Sequence, residues 1–222
     1  MDRTVNRTRF PARIVILDWD GTLLNSYAAD LRAYLAMFES LSIAWTEREI
    51  ERHYSPDWYR VYRAARIPRT KWTTADRLWR RAYGKERPVL LPGARSVLKS
   101  LGRNFRLAVV TSGSRQRVRR QLREFKLADY FSVCICSEDA PKKKPHPAPL
   151  LLALDRLHAD PKDCVYVGDA PEDIQMARCA GVRAIGVLGP FPTARRIRLE
   201  RPAVLLQSIR DLPHHLVPLD RV

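Results

Sequence analysis

Residues 13–22, Arg13-Ile14-Val15-Ile16-Leu17-Asp18-Trp19-Asp20-Gly21-Thr22, constrain the fold more than any other stretch. The run Arg13–Leu17 is short, apolar and β-branched, and reads as a buried strand. It delivers two carboxylates, Asp18 and Asp20, to its C-terminal end, and Gly21 lets the backbone turn sharply straight after them. In an open α/β sheet, ligands bind in the crevice beyond the carboxyl ends of the strands. Two carboxylates crowded there repel unless a cation or a shared proton relieves them. A metal site, an acid–base pair, or both would satisfy that requirement. Taken alone, Asp-x-Asp also fits an ordinary polar turn, so the rest of the chain has to decide.

After Thr22 the pattern is helical for some sixty residues. Leu31, Tyr34, Leu35, Phe38 and Leu41 make one apolar stripe, which predicts a helix over 26–40. A second helix is expected over 46–54, with Thr46 as N-cap and Glu49 as its capping-box partner. Further helical segments fall at 57–65 and 74–83, and no strand is expected between Tyr27 and Arg87. The segment is rich in aromatics and Arg; most of the aromatics are expected to form a local core, with a few rings and Arg side chains turned toward the carboxylates. From Pro92-Gly93 onward, strands and helices alternate. Strands are expected at 106–110, 131–136, 164–167, 182–188 and 203–206, the last as an edge strand. Helices are expected at 94–102, 114–125, 149–157 and 171–180, the last capped by Gly181. A last helical turn is expected to begin at 209–212, and Gly189 to Pro202 reads as an irregular, basic surface connection. This alternation predicts an α/β fold, a three-layer parallel sheet with an all-helical insertion after its first strand.

The chain's 222 residues suffice for one sizeable core with a small second module. No apolar run approaches the roughly 20 residues needed to cross a bilayer, and the polar, Arg-rich lead carries no signal-peptide pattern. A cytoplasmic protein with no membrane partner is expected. Cys134, Cys136, Cys164 and Cys179 lack zinc-like spacing and read as reduced core thiols. Forty basic against 24 acidic residues give a net charge of +16, which favours anionic partners. The Arg residues are scattered rather than gathered in a tract, so a solvated surface is the plainer reading and nucleic acid the alternative.

In a parallel sheet all strand C-termini share one edge. Asp18 and Asp20 follow the first strand, and Thr111-Ser112-Gly113 the second. Lys142-Lys143-Lys144-Pro145 lies in the loop after the third, and Gly168-Asp169-Ala170-Pro171-Glu172-Asp173 follows the fourth. Each alone has a bland reading as a cap, a turn or a solvated charge run; their order along one edge does not. The parts suit phosphoryl transfer. A carboxylate can attack phosphorus, a hydroxyl and helix-start N–H groups can hold phosphoryl oxygens, and a lysine can offset charge in the transition state. Oxygen ligands suit Mg²⁺.

This arrangement resembles the haloacid dehalogenase superfamily, in its phosphoglycolate-phosphatase-like branch. Asp18-Trp19-Asp20-Gly21-Thr22-Leu23 is similar to the first motif of that family and Thr111-Ser112-Gly113 to the second. Lys144-Pro145 with Pro147 is similar to the third, and Gly168-Asp169 with Asp173 to the fourth. The likeness runs from about Arg13 to Leu212. It implies a Rossmann-like core over 1–23 and 91–222 and an α-helical cap over 24–90. It further implies that Asp18 is nucleophile and Mg²⁺ ligand, and that Asp20 is general acid and then base, its carbonyl touching the metal. Thr111, Ser112 and Gly113 would hold the phosphoryl group, Lys144 would neutralise it, and Asp169 and Asp173 would complete the metal site. Among the three lysines, Lys144 is preferred because it directly precedes Pro145. Asn25 and Ala170 depart from the pattern, standing where many relatives have Asp and Ser.

Single residues separate the family's chemistries. Asp20 argues against dehalogenation, whose enzymes lack an acid there. The first His of the insertion, His53, comes later than a β-phosphoglucomutase-like mutase would need, and no Lys lies between Thr22 and Thr70 for a phosphonatase Schiff base. A Mg²⁺-dependent phosphatase of a small phosphorylated metabolite, working through an aspartyl-phosphate, is therefore the expectation. Phosphoglycolate stands beside nucleoside monophosphates, sugar phosphates and pyrophosphate as a candidate substrate, and the Arg- and aromatic-rich insertion fits an anionic or ring-bearing leaving group. The mutase, a nucleic-acid-binding protein on the same fold and a nucleic-acid-end phosphatase are the alternatives. The oligomeric state is not set by the sequence.

Overall fold

All four residues of Ile14–Leu17 are buried, which requires a strand at the centre of a sheet covered on both faces. The structure is a computed structural model that describes residues 8–219; the polar lead over 1–7 and residues 220–222 lie outside the described residues. In chain order the strands are β1 (Phe10–Ala12), β2 (Ile14–Leu17), β3 (Leu24–Asn25), β4 (Val89–Leu90) and β5 (Arg106–Val110), then β6 (Phe131–Ile135), β7 (Cys164–Gly168), β8 (Arg183–Val187), β9 (Val204–Leu206) and β10 (Leu216–Pro218). The helices are α1 (Tyr27–Ser40), α2 (Glu47–His53), α3 (Trp58–Ala64), α4 (Trp72–Tyr83) and α5 (Ala94–Leu101), then α6 (Arg115–Glu124), α7 (Ala148–Leu157), α8 (Pro171–Cys179) and α9 (Ala194–Leu199).

Six strands form one parallel sheet in the order β6-β5-β2-β7-β8-β9. They are the six strands read from the sequence, with every end within one residue. The chain runs outward from β2 through β5 to β6, then returns to β7 on the other side of β2. The strand order therefore reverses at β2, and such a switch point opens a crevice at the carboxyl edge. Alternation along each strand divides the core in two. Val15, Leu17, Val109 and Val167 pack against Val97 and Leu98 of α5 and Val118 and Leu122 of α6. Ile14, Ile16, Val110 and Tyr166 pack against Leu150 and Leu154 of α7 and Ile174 and Ala177 of α8. This is the three-layer arrangement expected.

Helices α1 to α4 form a separate block with its own core, in which Tyr34, Met37, Phe38, Ile50, Val61 and Tyr62 are buried and Trp45, Trp58, Trp72 and Trp79 pack around them. Thr46 and Glu49 form the capping box at the start of α2, where the Thr46 N–H donates to Glu49 Oε2 over 2.8 Å. The chain crosses between block and core through β3 and β4, which pair antiparallel.

The structure differs from the sequence reading in three places. The stretch 189–202 is not irregular throughout: α9 forms in it because Ile197 is fully buried against the sheet, although Leu199 stays 74% exposed. The pairs β3–β4 and β1–β10 are two or three residues long, too short to show a period in sequence. Cys136 and Cys164 are buried, but Cys134 is only half-buried and Cys179 is exposed, so not every thiol is a core thiol.

Candidate active site

Strand register brings the motifs together. Leu17 pairs with Val109 of β5 and with Val167 of β7, so Asp18, Thr111 and Asp169 leave the sheet side by side at the switch point. Trp19, between the two carboxylates, is fully buried in the core, and its indole N–H donates to Gln121 Oε1 over 2.9 Å. That anchor leaves Asp18 and Asp20 to line the cavity at the sheet edge. Gly21 has φ +82°, and a Cβ there would lie 2.2 Å from Asp169 Oδ2. Only glycine meets both demands, the left-handed backbone and the close approach of Asp169. Thr22 Oγ1 donates to Asp169 Oδ1 over 3.3 Å.

Lys144, 3% exposed, is the lysine that reaches the carboxylates. Its Nζ donates to Asp18 Oδ1, Asp173 Oδ1 and Tyr166 Oη, each over 2.7 Å. Lys142 is exposed, and Lys143 instead places its Nζ 3.1 Å above the Trp58 ring of α3. Asp173 stands in the first turn of α8, where its Oδ2 accepts from the Ala170 N–H over 3.0 Å. Thr111 is buried, and its Oγ1 accepts from the Gly113 N–H over 3.0 Å. Ser112 Oγ is buried with no partner among the described residues. All three residues of the second motif line the same cavity as Asp18 and Lys144.

One carboxylate oxygen each from Asp18, Asp169 and Asp173 lies within 4.8 Å of the others. One lysine cannot balance three buried carboxylates. Burial, then the Asp173 and Asp20 charges, push the Asp18 carboxyl up to about 7 against the pull of Lys144. Burial and the charges of Asp18 and Asp173 hold Asp169 well above the usual carboxylate range. Burial works against the ammonium of Lys144, but Asp173 and Asp18 outweigh it and raise that group. A hard cation among these three oxygens would relieve the repulsion, so the donor set fits one.

Asp20 is different. Its carboxylate stands outside that cluster and takes a two-pronged bond from Arg117, Nη1 to Oδ1 over 2.8 Å and Nη2 to Oδ2 over 2.5 Å. Burial would raise Asp20, but the Arg117 charge and hydrogen bonds outweigh it and hold the carboxyl below its ordinary value. Arg117 was not among the residues picked from the sequence. In sequence it is one of several arginines on α6 and reads as solvent-facing; only the fold, which buries Val118 and Gln121 beside it, turns it toward Asp20. Between the helical block and the core lies a cavity of about 900 Å³, its open mouth included. Tyr34, Tyr62, Trp79 and Tyr83 line it from the block and Phe191 from the core.

The sequence matches the haloacid dehalogenase-like hydrolase family over residues 15–187. It is 32% identical to the phosphoglycolate phosphatase of Escherichia coli (strain K12), across 90% of each chain. The phosphoglycolate phosphatase of Shigella sonnei is likewise 32% identical across 90% of each chain. Among solved structures, a haloacid dehalogenase-like family hydrolase from Streptococcus pneumoniae superposes with a TM-score of 0.81 at 18% identity, covering 91% of this chain and 97% of that one. CbbY from Rhodobacter sphaeroides, in complex with phosphate, superposes at 0.77 with 24% identity, covering 90% and 96%. At such identities the superpositions speak for the fold; with the family match and the relatives in sequence, the chain belongs to the haloacid dehalogenase-like hydrolases, in their phosphoglycolate-phosphatase-like branch.

Proposed function

We propose that this protein is a Mg²⁺-dependent phosphatase of a small phosphorylated metabolite, working through an aspartyl-phosphate on Asp18. The observation that carries this reading is the buried triangle of Asp18, Lys144 and Asp173 beside Asp169 at the sheet switch point. The relatives named phosphoglycolate phosphatases support the same class of reaction. In this reading the core comprises 1–23 and 91–222, and the helical block over 24–90 is the cap that admits the leaving group.

An oxygen of Asp18 attacks phosphorus, and the bond from phosphorus to the leaving oxygen breaks. The leaving oxygen takes a proton from Asp20. Water then attacks phosphorus, gives a proton to Asp20, and the Asp18–phosphorus bond breaks to release phosphate. Lys144 holds Asp18 in place and offsets the phosphoryl charge. Thr111 Oγ1 and the Ser112 and Gly113 N–H groups hold phosphoryl oxygens. Mg²⁺ held by Asp18, Asp169, Asp173 and the Asp20 carbonyl supplies, when bound, positive charge to the phosphoryl oxygens. The Arg117 fork keeps Asp20 in the ionised form that suits the base step. The acid step needs a proton on Asp20, so one arm of that fork must open first.

No histidine lines the cavity among the described residues, and His53 is exposed and packed on Trp45, which gives the mutase alternative no support. Hydrolysis of p-nitrophenyl phosphate with MgCl₂ tests the reading. Asp18→Asn is expected to abolish turnover, and wild-type protein quenched in acid is expected to retain label from a ³²P substrate. Turnover surviving in Asp18→Asn overturns the mechanism.

A further inference from the structure

The cavity beyond the phosphoryl site is acidic and aromatic, not basic. Asp30 of α1 and Asp76 of α4 both line it. Asp30 Oδ1 accepts from the Trp79 indole N–H over 3.1 Å, and Asp76 Oδ1 accepts from the Tyr62 hydroxyl over 2.9 Å. In each carboxylate the second oxygen takes no hydrogen bond, and neither residue has a cation at ion-pair distance, among the described residues. Arg117, the partly buried cation of this cavity apart from Lys144, has both terminal nitrogens on Asp20. Arg80 lines the cavity but is an exposed residue. A leaving group entering here therefore meets acceptor oxygens and ring faces.

Resting on the phosphatase reading, we propose that the leaving group is a ring-bearing polyol, as in a sugar phosphate or the ribose of a nucleoside monophosphate, and not a small carboxylate. The chemistry is complementary on both counts. Ring hydroxyls donate to Asp30 Oδ2 and Asp76 Oδ2, and charged acceptors make the stronger class of hydrogen bond. The apolar face of a ring packs on Tyr34 or Trp79, rings that offer area at little cost in entropy. A glycolate leaving group offers no ring face to these aromatics and brings its own negative charge toward Asp20, Asp30 and Asp76. Of the two leaving groups that the Arg- and aromatic-rich block fits in sequence, anionic or ring-bearing, the wall favours the second: among the described residues Arg80 is the one arginine of the block that lines it, and it is exposed.

The test compares kcat/KM at pH 8 with MgCl₂ for ribose 5-phosphate, glucose 6-phosphate, AMP, phosphoglycolate and p-nitrophenyl phosphate. At least one cyclic polyol phosphate is expected to exceed phosphoglycolate by tenfold or more. Preference for both sugar phosphates and AMP assigns recognition to the ring hydroxyls; preference for AMP alone adds stacking of the base on the aromatic wall. In Asp30→Asn and Asp76→Asn the ratio of cyclic substrate to phosphoglycolate is expected to fall at least tenfold, chiefly through KM. Phosphoglycolate turned over as well as, or better than, every cyclic substrate overturns the proposal while leaving the phosphatase reading intact. Failure to turn over any of them, p-nitrophenyl phosphate included, overturns the phosphatase reading and this proposal with it. If the variants do not fold, the wild-type ranking decides alone.

Discussion

Asp30 shows how much a single side chain can be asked to tolerate in a substrate cavity. Burial first, and then the charge of Asp20, push its carboxyl up to about 7 against the pull of Arg117 and the Trp79 indole. The folded state thus keeps a proton that the unfolded chain loses near its ordinary value of 3.8. Its contribution to stability is complete below that value and drains away as pH rises toward 7. Asp30→Asn removes the penalty. Its melting temperature is therefore expected to match wild type near pH 4 and to exceed it at pH 8, by about 5 °C or more at this chain size. An equal shift at both pH values would show that the substitution acts through packing and not through charge. Asp18, Asp20, Thr111 and Asp169 could be picked from sequence because each closely follows a strand, where a polar residue after an apolar run stands out, whereas Lys144 lies in the loop well beyond β6 and stands out only by preceding Pro145. Arg117, Asp30 and Asp76 sit within helices, where a charged residue reads as solvent-facing until a neighbour in space is known.

At the scale of elements, two junctions tie the helical block to the core beside the contacts of Lys143 with Trp58 and of Arg117 with Tyr83. One junction is β3 with β4; the other is the link from α2 to α3, Tyr54 to Asp57. Ser55 Oγ donates to Glu172 Oε1 over 2.8 Å, and Arg196 of α9 donates through Nη2 to the Tyr54 carbonyl over 2.8 Å. The Tyr54 ring stacks on Phe191 with centroids 4.7 Å apart. Glu172 is 3% exposed, and its Oε2 has no hydrogen-bond partner among the described residues, so the clasp rests on a buried side chain with one oxygen spare. Removing it in Glu172→Ala releases Ser55 and the weaker reach of Arg60, 3.7 Å away. A hydrogen bond to a charged group contributes about 1.5–3 kcal/mol. Amide exchange over 54–62 is accordingly expected to speed up by at least about tenfold, while α1 and the sheet keep wild-type rates. Uniform acceleration across the chain would mean global destabilisation and no local clasp. The clasp was invisible in sequence: Glu172 reads as a routine acidic residue in a first helical turn, and α9 lies in a stretch with no apolar period. The six main strands were legible because each is a continuous apolar run closed by turn residues.

For the whole molecule the decisive imbalance is where the charge lies. The chain carries an excess of 16 positive charges, yet Asp18, Asp20, Asp169, Glu172 and Asp173 gather at one sheet edge with the buried Lys144 and the partly buried Arg117 among them. Folding this chain brings three carboxylates together beside one lysine, at a cost that the fold bears. A cation that binds the folded state alone returns that cost by mass action, about 2.7 kcal/mol when present at a hundred times its dissociation constant. At this size that corresponds to about 5–10 °C. Two results are expected from thermal unfolding in chelator and in 10 mM MgCl₂. Wild type gains stability with Mg²⁺ on that scale. Asp169→Asn starts above wild type in chelator, because one repelling charge is gone, and gains little from Mg²⁺, because one ligand is gone. The two shifts have opposite signs and a common origin. A variant destabilised in chelator would show that Asp169 holds the loop through Thr22 and the Gly21 turn more than it strains the cluster. A wild type indifferent to Mg²⁺ would remove the cation from the proposed mechanism and leave Lys144 as the sole counter-charge to the phosphoryl group.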